Sequence, residues 1–131
     1  MTIPLSSSSV VALSDAVRKG RVTSRALSEA ALARIAERDP ALGAFQVVRG
    51  QRALDEADAV DARVDRADLP LAGVPIAVKD NVSVAGEPMR FGTEASDPAR
   101  QTGIIRWWPG CAQPVLWWLD SPGSRNCACT G

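Results

Sequence analysis

Histidine and tyrosine are absent from this chain of 131 residues, and phenylalanine occurs only twice. Without histidine no His-based catalytic dyad or triad can be built, and zinc and haem lose a ligand they commonly take. An excess of either charge is missing too, because 15 basic residues balance 15 acidic ones. No polybasic face is available to DNA, RNA or an anionic membrane, so neither nucleic acid nor a membrane is expected as a partner. The N-terminal stretch "MTIPLSSSSVVALSDAV" has no positive charge ahead of its weakly apolar part. It also lacks a long apolar run, so no secretory signal or anchor is indicated and the expected location is cytoplasmic. Cysteine is confined to positions 111, 127 and 129. An odd number crowded at one end is neither a disulfide framework nor a complete metal site.

What is present is unevenly spread. The stretch "IIRWWPGCAQPVLWWLDSPGSRNCACTG" holds all four tryptophans and all three cysteines, while the preceding hundred residues are rich in alanine, arginine and aspartate. The length corresponds to about one domain. Val10, Leu13, Ala16 and Val17 recur at helical spacing, and Gly20 stands where a left-handed residue closes a helix. Thr23 then caps a second helix carrying Leu27, Ala30, Ala31 and Ile35, which Asp39-Pro40 is expected to stop. Arg25, Arg34 and Arg38 on this helix alternate with Glu29 and Glu37, so the hairpin has no electrostatic basis for reading DNA. "GAFQVV" is a short extended run. A third helix is expected from about Gln51 to about Val64, with Leu54, Ala57, Val60 and Val64 inward and Asp55, Glu56, Asp58 and Asp61 on a solvated face.

The next stretch, "LPLAGVPIAVKDNVSVAGEPMRFGT", reads as a buried strand over Val74 to Val78, bounded by Gly73 and followed directly by Lys79. The end of such a strand is where loops gather and where open sheets commonly build their active sites. A lysine stripped of water there becomes a usable base. Spacing alone leaves a second reading open, in which Lys79, Asp80 and Asn81 form an exposed turn with a weak ion pair.

The segment "PLAGVPIAVKDNVSVAGEPMRFGT", preceded by "LSDAVRKGRVTSRALSEAALARIAERDPALGAF", resembles the N-terminal part of the amidase signature family. The resemblance runs from Leu13 to about Pro98, and its specific core is Gly-x-Pro-x-x-x-Lys-Asp at Gly73, Pro75, Lys79 and Asp80. It implies an α/β fold with a mixed central sheet between helices, here the N-terminal portion and incomplete. It implies hydrolysis of small-molecule amides at C–N bonds other than peptide bonds, through a Ser, cis-Ser, Lys triad, with no metal or organic cofactor. Lys79 corresponds to the triad lysine, whose task is to deprotonate the bridging serine so that the nucleophilic serine is activated. In the family both serines lie farther along, in a Gly and Ser rich stretch whose N–H groups also hold the oxyanion. Nothing resembling that stretch occurs here, and Ser83, Ser96, Ser121 and Ser124 read as ordinary loop serines. These residues do not separate free-standing amidases from the A-type component of tRNA-dependent amidotransferases.

The resemblance stops between about Pro98 and Ile104. Shifting the reading frame to the third base of each codon from Ile104 onward gives an allowed string, "HPVVAGLRAAGAVVARLPGFPELCVYG". The single tryptophan codon forces Val at Trp107-Trp108, Ala at Trp108-Pro109 and Val at Trp117-Trp118, and Asn126-Cys127 must give Leu. These fit the expected family continuation. Residues 1–103 are therefore expected to be a partial amidase domain and 104–131 an out-of-frame tail. Three helices and one strand form a thin basis for a core, so a poorly soluble or molten chain is expected. A rival expectation is a non-enzymatic module anchored by Trp107-Trp108 and Trp117-Trp118 to a partner or a membrane interface.

Overall fold

Elements appear in the order α1 (Val10–Arg18), α2 (Ser24–Leu42), β1 (Phe45–Val47), α3 (Gly50–Asp61), a single 3-10 turn (Arg66–Asp68), β2 (Ile76–Lys79) and β3 (Leu116–Leu119). The computed structural model describes residues 9–82 and the backbone of residues 116–119. Local chemistry sets the first helices. The Ser9 hydroxyl accepts from the Ala12 N–H at 3.2 Å, which starts α1. At its other end Gly20, at φ 66°, turns the chain so that the Arg21 N–H returns to the Ala16 carbonyl. The Thr23 hydroxyl accepts from the Ala26 N–H at 3.0 Å and starts α2.

That second helix does not stop at Asp39-Pro40. It runs through Pro40 to Leu42 and closes on Gly43 at φ 57°, whose N–H donates to the Asp39 carbonyl at 2.7 Å. Pro40 withholds one N–H from the helical ladder, but it does so in the last turn, beside exposed Ala36, where water can serve the carbonyl. The Asp39 carboxylate then accepts from the N–H groups of Ala44 and Phe45 at 2.6 and 3.1 Å, which steers the chain into β1. The third helix is also shorter than its spacing predicts: it ends at Asp61, and Val64 lies beyond it at 102% exposure.

Two apolar clusters flank α2. Leu13, Val17, Leu27, Ala72 and Val74 form one, with Val22 against them. Ala53 and Ala57 form the other, covered by Leu32, Ile35 and Phe45. The face that α2 buries is Ser24, Leu27 and Ser28, whereas Ala30 is exposed. Small residues on both helices, Ser24 and Ser28 on α2 and Ala53 and Ala57 on α3, are all fully buried.

The sheet is mixed, in the order β1-β3-β2. β3 pairs antiparallel with β1, Phe45 facing Leu119, and parallel with β2, Ile76 facing Leu116 and Lys79 facing Leu119. The sequence reading of the tryptophan tail contains no such strand. Leu-Trp-Trp-Leu is a compact run of residues that suit a pleated surface, and it follows Pro114 closely. Trp117 and Trp118 thus have their backbones on the middle strand, while Trp107, Trp108 and the three cysteines lie outside the described residues.

Candidate active site

Lys79 is the last residue of β2, and its side chain is exposed. β2 is not the fully buried strand that its apolar run suggests, since Ile76 and Val78 are half-buried while Ala77 and Lys79 are open. The chain turns immediately, with the Val82 N–H donating to the Lys79 carbonyl at 2.9 Å. Inside that turn Asp80 is 2% exposed, so the residue pair Lys79-Asp80 presents an open cation directly before a buried carboxylate. Burial of an acid at this depth is sustained only by partners. Lys79 thus ends the strand and begins the turn, but it is open to water where the strand-end reading has it desolvated, and Asp80 is buried where the turn reading has it exposed. Asn81 and Val82 are exposed, and Ser83, Ser96, Ser121 and Ser124 lie outside the described residues.

The approach to β2 is built with more polar contact than the sequence suggests. Leu71 to Val74 form a tight turn, the Val74 N–H donating to the Leu71 carbonyl at 3.0 Å. Both central residues have positive φ, Ala72 at 46° and Gly73 at 78°, as a type I′ turn demands. Ala72 accepts that backbone at a cost of order 1 kcal/mol, and its burial in the first cluster offsets it. A side chain at Gly73 has no room: a Cβ would sit 2.5 Å from Ser24 Oγ and 2.8 Å from both Ser24 Cβ and Val60 Cγ1.

Four residues outside the recognised motif hold this region. The Ser24 hydroxyl donates to the Gly73 carbonyl at 2.6 Å, and Arg18 Nη2 donates to the carbonyls of Leu69 and Pro70 at 2.9 and 2.7 Å. Ser14 Oγ lies 3.4 Å from the Pro70 carbonyl. Asp61 accepts from the N–H groups of Ser24 and Arg25 at 2.8 and 3.0 Å, so the end of α3 serves the start of α2. The acidic face of α3 is thus not merely solvated. Asp58 pairs with Arg25, and Glu56 pairs with Arg49 at 2.7 Å. A sequence signal for Asp61 existed: an acid in the last turn opposes its own helix dipole, which points to a partner elsewhere.

Among the described residues no group of three metal-ligating side chains is gathered in one place. Within the same residues no helix is long and apolar enough to cross a membrane.

Taken together, these features define part of an α/β scaffold with a lysine at the open end of a strand in a mixed sheet. The chain belongs to the amidase family, whose family model matches residues 26–103. Mandelamide hydrolase of Pseudomonas putida is 42% identical over 102 residues, which is 76% of this chain and 18% of that protein. The A component of the glutamyl-tRNA(Gln) amidotransferase of Symbiobacterium thermophilum is 44% identical over 70 residues, covering 51% of this chain and 14% of the other. A solved structure described as an inhibitor-bound vestigial protein complex, bearing on the origins of an s-triazine catabolic enzyme, superposes with a TM-score of 0.71 at 32% identity. It covers 86% of this chain and 26% of its own. The chain spans less than a fifth of the length of these curated relatives, at 18% and 14%.

Proposed function

We propose that this chain is the base-bearing segment of an amidase signature hydrolase of small-molecule amides, with Lys79 as the base. The observation that carries the reading is the position of Lys79, which closes β2 within the Gly73, Pro75, Lys79, Asp80 core and is open to an approaching group. In this reading Lys79 serves as the base that takes a proton from a bridging serine, which in turn takes one from the nucleophilic serine, whose Oγ then attacks the amide carbon. The departing amine receives the proton back. Residues 1–103 supply the base and its support in this reading, and neither serine is recognisable in the chain.

Residues 104–131 are then an out-of-frame tail, and the chain as it stands is inactive. The allowed shifted string reads Val-Val-Ala-Arg across the codons of Leu116–Leu119, with the Val from Trp117-Trp118 forced, and valine suits the same strand. Resequencing the gene around codon 100 tests the frame: unrelated downstream DNA in every frame would sink the idea. Activity is tested by hydrolysis of a panel of aryl and aliphatic amides, using this chain and a frame-restored version. The restored chain is expected to be active and to lose activity on Lys79→Ala, and turnover by the short chain would overturn its inactivity.

The similarity to an amidotransferase component favours a second reading, in which the restored chain works with partner proteins. Amide hydrolysis that appears only on adding such partners would select it.

A further inference from the structure

We propose that Ser24, assisted by Arg18, is a positioning residue for Lys79, acting through the backbone of residues 69–74; the proposal rests on the reading of Lys79 as the base. The Ser24 hydroxyl is fully buried and is spent on a carbonyl 49 positions away. A serine within a helix ordinarily satisfies itself on the carbonyl four residues back, as Ser28 does on Ser24 at 2.9 Å. Ser24 is in the first turn of α2, where that partner is not helical, and it reaches out to Gly73 instead.

Three carbonyls are seized within five residues: Leu69 and Pro70 by the Arg18 guanidinium, and Gly73 by Ser24. Between them the Leu71–Val74 turn closes on itself. This leaves the segment without slack, and β2 starts only three residues after Gly73. A four-residue strand is close to a rigid rod, so where it begins and how it is rotated decide where its last residue lies. The absence of a side chain at Gly73 is the complementary half of the device, since a Cβ would collide with the same Ser24 hydroxyl. A purely structural serine would strengthen the helix pair as a whole. The latch instead loosens one end of one strand when it is opened.

Site-resolved amide hydrogen exchange on this chain separates the two. In Ser24→Ala the amides of β2 that face β3 are expected to exchange about tenfold faster, while those of Ala57 and Val60 stay within about twofold, because a lost buried hydrogen bond frees its own segment first. Thr23→Ala removes a cap from the same helix without touching residue 73 and is expected to leave the β2 amides unchanged. Equal acceleration in β2 and α3, or none in β2, overturns the proposal. If Ser24→Ala fails to fold, Arg18→Met decides: it keeps an unbranched apolar stem, removes the donors to the carbonyls of Leu69 and Pro70, and should give the same selective acceleration in β2. A uniform or absent change in that variant overturns the proposal. Amide hydrolysis does not enter this measurement, so a failure of the amidase reading and a failure of the latch are told apart.

Discussion

The α2–α3 pair and strand β2 are neighbours in the fold, yet they are stabilised in different ways. The helix pair is sealed: Ser24, Ser28, Ala53 and Ala57 are fully buried, and its ends are stitched by Asp61 on the first turn of α2. Strand β2 alternates between half-buried and exposed residues, and its tie to β3 is a backbone ladder. On the proposed reading the difference separates support from chemistry: the helices and the Gly73 turn hold the strand that carries Lys79, and the strand keeps an exposed face.

Substitutions can break this contrast. Gly73→Ala has the largest expected effect, roughly 2–5 kcal/mol in urea unfolding, from overpacking against Ser24 and Val60 plus left-handed strain. Leu27→Ala, at 2% exposure in the first cluster, should cost about 2–3 kcal/mol by the same measurement. Asp61→Ala leaves two N–H groups of α2 without their acceptor and should cost about 1–2 kcal/mol, whereas Asp58→Ala removes only a surface pair with Arg25 and should stay under about 1 kcal/mol. If the two acids prove equal, the idea that α3 caps α2 fails.

The smallest effect concerns Asp65, whose carboxyl is held below the usual range by hydrogen bonds from the Arg63 guanidinium, against some desolvation. A lowered folded value means the contribution is present above the unfolded value of about 4 and fades as pH falls through the folded one. Stability of Asp65→Asn relative to the parent should therefore converge at low pH, with only a slight gap at neutrality because the pair is exposed.

Much of the helical part was legible in single residues. Ser9 and Thr23 have cap chemistry, Gly20 has the left-handed turn, and the Gly73 to Asp80 core is a motif. What escaped the sequence has physical causes. Pro40 reads as a stop because its ring forbids a helix interior, but in a last turn the penalty falls on one solvated carbonyl. Val64 matches helical spacing, yet the chain leaves the helix three residues earlier. The lock on Gly73 stayed hidden because serine is a common surface residue, and only the three-dimensional approach of residues 49 positions apart reveals its use. The strand in the tail was obscured for another reason: tryptophan pairs read as anchors or as frame debris, while backbone pairing depends on partners far away in the chain.

The acid on α3 also sets a timetable. Because Asp61 accepts the N–H of Ser24, the first turn of α2 is complete only after 37 more residues have been made. At about 5–20 residues per second that interval is roughly two to seven seconds. During it the nascent α2 has its own Thr23 cap and only Leu13 and Val17 of α1 to lean on, so the helix pair becomes a single cooperative unit only once α3 has been made.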